Sequence, residues 1–80
     1  MAFSVAVNSS GDYRSAYFST TTIFKKVQFT YIGGSCYMTQ DGVGQSCGIG
    51  TYDLNYSSSL TIQGSHSMGR DTSVSGYLFF

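Results

Sequence analysis

The chain has 80 residues, enough for one domain with a thin core, since a domain of this size buries only about 60% of its unfolded surface. Four basic and four acidic side chains give a formal net charge of zero, and charged residues make up 10% of the sequence. The composition excludes a basic field for nucleic acid, and no apolar run approaches the roughly 20 residues of a membrane span.

The residue types favour strands over helices. The sequence has seven Tyr, ten Gly and no Pro, and it is rich in Ser and Thr. Two cysteines are too few for a four-ligand zinc site and fit an oxidising setting. Because no charged segment followed by an apolar one begins the chain, we expect a mature protein that is extracellular or on the surface of a virion or other particle.

Alternation with period two marks the strands of the first half. Residues 2–8 form the first predicted strand, and a turn follows at 8–12. Strand character returns at 13–19, and Gly33-Gly34 ends the strand after that. The alternation places Phe3, Val5 and Val7 on one side of the half-buried first strand, and it places Val27, Phe29 and Tyr31 on one side of the third.

The strongest local signal is a hairpin turn at Asp41-Gly42. This dipeptide suits a type I′ turn, in which both central residues need positive φ. Pairing outward from the turn brings Cys36 opposite Cys47, and opposed Cα atoms lie about 4.5–5.5 Å apart, within disulfide range. The sequence therefore predicts a Cys36–Cys47 disulfide that contributes about 3 kcal/mol.

The segment after the second cysteine is predicted as a bulge or close backbone approach at 48–50, and a Ser-rich stretch follows residues 52–54. A strand through Leu60 and Ile62 is expected to end at Gly64, with a loop at 65–71.

The C-terminal strand, residues 73–80, is apolar on both faces at its end, so we expect it to be covered on both sides. If Phe79 were instead exposed, a patch of Leu78, Phe79 and Phe80 would attract a partner chain.

Six to eight short strands without Pro predict one all-β domain over residues 1–80, a small antiparallel sandwich or barrel with Greek-key-like connections and one disulfide. The segments 5–19 and 37–49 have the same layout of strand, turn and strand, which suggests an internal duplication.

Four pieces of the second half carry a family resemblance: Tyr37 and the segments 42–46, 50–54 and 71–75. Through them the chain resembles a βγ-crystallin Greek-key motif. The resemblance implies a sandwich of two Greek keys and calcium sites at an acidic pair followed by Ser or Thr. Arg70-Asp71 stands at that pair, and one carboxylate is too few for a hard cation, so we expect no metal and no cofactor.

The only imidazole, His66, lies between two serines, but the pattern does not indicate catalysis. No nucleophile elbow is present, and neighbouring strand side chains point to opposite faces. We expect a surface-loop histidine, no catalytic residue and a protein that is not an enzyme.

The aromatic residues are the main candidates for binding, because Tyr offers rigid, amphipathic contact area. About half of the tyrosines are expected to replace the missing Leu of a thin core. The candidate binding or interface residues are Tyr13, Tyr17, Tyr52, Tyr56, Tyr77, Phe79 and Phe80, and Tyr37 could join the same face.

Low charge and the absence of edge-protecting Pro favour a non-enzymatic structural or self-assembling module, such as a coat, filament or crystallin-like protein, whose partners are copies of itself. The alternative is a secreted binding module, lectin-like or a small toxin or inhibitor, whose tyrosines contact a glycan or a protein target.

Overall fold

The computed structural model describes residues 1–8, 14–66 and 71–80. Within these ranges the backbone forms eight strands and no helix. The strands are β1 (Ala2–Val7), β2 (Arg14–Thr20), β3 (Lys26–Ile32), β4 (Ser35–Gln40), β5 (Val43–Ser46), β6 (Gly50–Asp53), β7 (Leu60–His66) and β8 (Thr72–Phe79).

The strands form two four-stranded antiparallel sheets. Sheet A has the order β1-β8-β3-β6, and sheet B has the order β2-β7-β4-β5. The first strand pairs with the eighth, the second with the seventh, the third with the sixth and the fourth with the fifth. This nested pairing over two sheets is the arrangement of a jelly roll, so the prediction of an all-β fold with one disulfide is confirmed and the architecture is a sandwich.

The suggested duplication does not match this topology. β1 and β2 lie in different sheets, whereas β4 and β5 form a hairpin within one sheet. Gly33-Gly34 ends its strand as predicted, but the chain there crosses from sheet A to sheet B.

The core lies between the sheets, where alternate residues of both point inward. Phe3 packs edge-on against Phe29, with 5.8 Å between the ring centroids. The remaining members come from both sheets and from the loops that cover the ends of the sandwich: Val5, Phe24, Val27, Cys36, Met38, Leu54, Tyr56, Leu60, Ile62, Val74 and Leu78.

A β-bulge reverses the predicted alternation near the end of β3. Phe29 pairs with Gly76, but Tyr31 rather than Thr30 pairs with the next residue, Ser75. The extra residue turns Tyr31 outward, where 53% of it is exposed. The prediction that Tyr31 lies on the same side of the strand as Val27 and Phe29 is therefore wrong.

Gly76 makes this bulge possible. A Cβ atom at this position would overlap the backbone carbonyl oxygen of Gln28 on β3. The predicted close approach at 48–50 is not seen, because a Cβ at Gly48 would meet nothing closer than 3.8 Å and one at Gly50 nothing within 4 Å. Gly50 instead has φ of 135°, where the chain enters β6.

The predicted hairpin and its disulfide are both present. Asp41 and Gly42 have φ of 51° and 84°, as a type I′ turn requires. The register places Tyr37 opposite Ser46, and the next pair outward, Cys36 and Cys47, is joined by the disulfide with 5.3 Å between the Cα atoms.

Two residues of the predicted 65–71 loop belong to β7. Ser65 and His66 pair with β2 and are buried, with 6% and 5% of each residue exposed. The prediction that His66 lies in a surface loop is therefore wrong. The part of that prediction at 67–70 lies outside the described residues.

The C-terminal strand is covered on one side. Leu78 is fully buried, whereas Tyr77 and Phe79 on the opposite face are 46% and 45% exposed. The expectation of cover on both sides is wrong for the single chain.

Candidate functional site

The outer face of sheet A carries three exposed aromatic residues on its two central strands. Tyr77 on β8 lies between Ala2 of β1 and Gln28 of β3. Phe79 lies two residues further along β8, and Tyr31 faces Ser75 on the other side of Tyr77. We call Tyr31, Tyr77 and Phe79 the aromatic face of sheet A. Small side chains such as Ala2 and Ser75 lie beside two of the rings, whereas Gln28 pairs with Tyr77 and Lys26 pairs with Phe79.

This face is close to electrically neutral. Its charged residues are Lys26 and Asp53, whose side chains form an ion pair with 3.4 Å between Nζ and Oδ1. The two side chains are 59% and 86% exposed, so the pair contributes at most about 1 kcal/mol to stability. Because the two charges are opposite and paired, they leave little net field that would repel a second copy.

The edge strand β1 lies beside this face, and the outer edge of β1 pairs with no other strand of the described residues. Met1 and Leu78 exchange backbone hydrogen bonds in both directions, at 2.7 Å each. In an antiparallel ladder the bonded pairs alternate, so Ala2, Ser4 and Ala6 direct their N–H and C=O groups away from β8 and toward the free edge. Their side chains are exposed, small and uncharged.

Two of the other three edge strands are less open to pairing. β6 has four residues and includes Asp53, and charge on a short edge strand is a common protection against pairing. β5 also has four residues. β2 has seven residues and is the other long edge strand. β1 combines six residues with no charge and no Pro.

The outer face of sheet B carries a second aromatic pair. Tyr17 of β2 and Tyr37 of β4 both face Gln63 on β7, in one row across three strands. Two strand spacings separate the tyrosines by about 10 Å. They are 64% and 44% exposed. A Cβ atom at Gly44 would overlap the Tyr37 phenol, so glycine is what lets this ring lie across the sheet.

Hydroxyl and amide groups surround this row. Gln63 Nε2 donates to Ser15 Oγ at 3.3 Å, and the hydroxyls of Ser19 and Thr61 lie 3.1 Å apart. Beyond them a shallow depression of about 360 Å³ is lined by Ser19, Thr20, Thr21 and Ser59. The described side chains on this face carry no charge.

The sequence-predicted aromatic residues do not form one site. Tyr17 lies on sheet B, while Tyr77 and Phe79 lie on sheet A. Phe80 is 82% exposed, and its ring lies 4.8 Å from that of Phe24. Tyr13 lies outside the described residues.

Tyr52 and Tyr56 turn inward instead. The half-buried Tyr52 ring contacts Phe29 edge-on at 5.8 Å, and its hydroxyl accepts the Gly48 N–H at 2.8 Å. Tyr56 is 6% exposed, and its hydroxyl joins two loops by accepting the Phe24 N–H at 2.8 Å and donating to the Thr22 carbonyl. Both residues therefore stabilise the sandwich, and neither belongs to the surfaces described above.

Asp41 has a second role that the turn signal does not indicate. Its carboxylate accepts the N–H groups of Ser57 and Ser58 at 2.7 Å and of Ser59 at 3.1 Å, and its own N–H donates to the Ser59 carbonyl at 3.0 Å. These hydrogen bonds, with that of Ser57 the strongest, lower the pKa of the Asp41 carboxyl below its ordinary value of 3.8. The hairpin of β4 and β5 thus holds the loop between β6 and β7, through which the chain returns from sheet A to sheet B.

The described part of the chain contains no group of three or more His, Cys, Asp or Glu side chains able to hold a metal ion. In the same residues, no helix is long and apolar enough to cross a membrane. Comparisons with protein-family models, with curated proteins and with solved structures found no match.

Proposed function

We propose that this chain is a non-enzymatic structural module that assembles with copies of itself, as coat and filament proteins do. The observation that carries the proposal is the outer side of sheet A, where three exposed aromatic residues lie next to an edge strand without charge or Pro that pairs, among the described strands, with β8 alone. Soluble monomers usually protect such edges with charge, Pro or a covering segment.

The fold is compatible with this function. Jelly rolls serve in viral capsid domains and in lectins, so the architecture alone does not choose between the two hypotheses. The disulfide is consistent with an oxidising location, and we propose an extracellular position or the surface of a virion or particle. The crystallin-like resemblance stays a prediction.

The test is the state of association as a function of concentration. Sedimentation velocity and negative-stain electron microscopy should show oligomers, filaments or shells that increase with protein concentration. Tyr77→Ser should weaken this association, whereas Tyr17→Ser, at a more exposed tyrosine on sheet B, should leave it unchanged. A wild-type protein that stays monomeric at millimolar concentration would rule the proposal out.

A second candidate function is glycan binding on the outer face of sheet B. The row of Tyr17, Gln63 and Tyr37 supports it, because two tyrosine rings about 10 Å apart match the length of a disaccharide unit and the amide between them can bond to hydroxyls. An uncharged face suits a neutral polysaccharide better than an acidic one.

Retention on insoluble neutral polysaccharides tests this second function. Tyr17→Ala and Tyr37→Ala should each abolish retention, and Gly44→Ala should reduce it by displacing the Tyr37 ring. Tyr31→Ala on sheet A is the control and should bind normally. Absence of wild-type retention on every polysaccharide tried, together with an empty glycan array, would exclude a lectin-like role.

A further inference from the structure

The free edge of β1 is complementary to itself in one register. The three residues that direct backbone groups outward are Ala2, Ser4 and Ala6, with Ser4 at the centre. When two such edges meet around a two-fold axis, Ser4 faces Ser4 of the second copy, and Ala2 faces Ala6. Each facing pair then exchanges both of its N–H and C=O bonds, so none of these edge groups is left unpaired.

We propose that two copies of this chain associate antiparallel through β1 in this register, which joins their A sheets into one continuous eight-stranded sheet. The inference rests on the proposed function of self-assembly and names its contact. The occupant of the edge is a second copy because this register places Ser4 against Ser4 and Ala2 against Ala6, so the side chains that meet are all small and uncharged.

The side chains allow the two strands to approach. On the outer face, Ala and Ser side chains meet Ala and Ser, so no bulky or charged group lies between the strands. On the inner face, Phe3 lies opposite Val5 of the second copy, and both are already buried at 6% and 3% exposure. The two hydrophobic cores therefore meet along the junction without exposing a polar group.

A two-fold contact closes on itself, so it produces a dimer and no larger assembly. The paired strands are only about 20 Å long, which makes the isolated contact weak. An assembly larger than the dimer needs a second contact surface, and the aromatic face of sheet A supplies it. In the dimer this face appears twice on the same side of the continuous sheet, which gives a neighbouring dimer two contacts instead of one.

Cysteine substitutions test the register directly, because the two native cysteines form a disulfide and leave no other thiol. In Ser4→Cys the two introduced thiols face each other, with Cα atoms about 5.5 Å apart, a distance that a disulfide can bridge. In Ala2→Cys they lie four residues out of step, about 13 Å apart. Thr51→Cys puts the thiol on the opposite, exposed edge of sheet A.

Under mild oxidation at a concentration where wild type associates, Ser4→Cys should give about tenfold more covalent dimer than either Ala2→Cys or Thr51→Cys, since disulfides need Cα atoms within about 7 Å. A mixture of Ala2→Cys with Ala6→Cys should also cross-link. Equal cross-linking of all three single variants, or most dimer from Ala2→Cys, would refute this register.

Charge substitutions at Ser4 test the same register without a covalent cross-link. Ser4→Lys should reduce dimerisation in sedimentation velocity, Ser4→Asp should do the same, and an equimolar mixture should restore it because opposite charges then face each other. Thr51→Lys is the matched control and should dimerise like wild type.

These results separate this inference from the proposed function. If wild type assembles while Ser4→Cys fails to cross-link and Ser4→Lys assembles normally, β1 pairing is wrong and self-assembly stands. If wild type is a monomer at every concentration, self-assembly itself is wrong.

Discussion

Removal of one hydroxyl, in Tyr56→Phe, should destabilise the protein far more than the same change at Tyr52. Both hydroxyls accept a backbone N–H at 2.8 Å, but the bond to Phe24 is buried, and the bond to Gly48 is exposed. In Tyr56→Phe the Phe24 N–H loses its partner where water cannot replace it, and the Thr22 carbonyl loses its donor as well.

A buried donor left without a partner costs about 1–3 kcal/mol. For a chain of this size each kcal/mol lowers Tm by about 4–8 °C. In Tyr52→Phe water can bond to the Gly48 N–H, so we expect a change within about 0.5 kcal/mol.

Urea denaturation followed by circular dichroism measures both variants against wild type, with the free energy of unfolding taken from the midpoint and a common slope. The aromatic ring stays in place in both variants, so ring packing contributes the same free energy as in wild type and the difference reports the hydroxyl group alone. A Tyr56→Phe protein within 0.5 kcal/mol of wild type, or equal losses in the two variants, would contradict this assignment of the buried hydrogen bonds.

Three further perturbations follow from the fold. Gly76→Ala should lose about 1–3 kcal/mol of stability, because its methyl group would overlap the Gln28 carbonyl, whereas Gly48→Ala should be close to neutral in the same thermal melts. Since the pKa of Asp41 is lowered in the folded state, its contribution to stability is complete above pH 3.8 and is lost as the pH falls through the folded value. Acid titration of Asp41→Asn should therefore show a flatter loss of stability than that of wild type. Equal slopes would argue against a stabilising role for the hydrogen bonds that the Asp41 carboxylate accepts from the 57–59 loop. Reduction of the Cys36–Cys47 bridge should lower the free energy of unfolding by about 3 kcal/mol in urea titrations, and an unchanged midpoint would mean that the closed loop adds nothing.

The parts of the structure that depend on neighbouring residues could be predicted from the sequence. The Asp41-Gly42 turn and the register from it to Cys36 and Cys47 follow from local turn chemistry and counting. The alternation in β1 likewise shows which side faces the core.

The outward turn of Tyr31 could not be predicted in the same way. The bulge depends on Gly76, more than forty positions away, and period-two counting carries no information about an inserted residue. Nor could the inward position of Tyr56 be predicted, because its hydroxyl partners belong to a loop that only the fold brings near. The candidate surfaces depend on which strands are neighbours, and strand order is a long-range property.

The nested strand pairing has a consequence for how the chain is made. The hairpin of β4 and β5 needs only neighbouring residues, but β1 needs β8, the last of the eight strands to be synthesised. Loop closure favours pairing that begins at the hairpin and moves outward, because each pair that forms shortens the loop that the next pair must close. Sheet A therefore cannot be completed before β8 has been synthesised, and until then Phe3 and Val5 lack the strand beside them. Premature termination anywhere before β8 would release a fragment with an open hydrophobic layer, a natural substrate for chaperones and proteases.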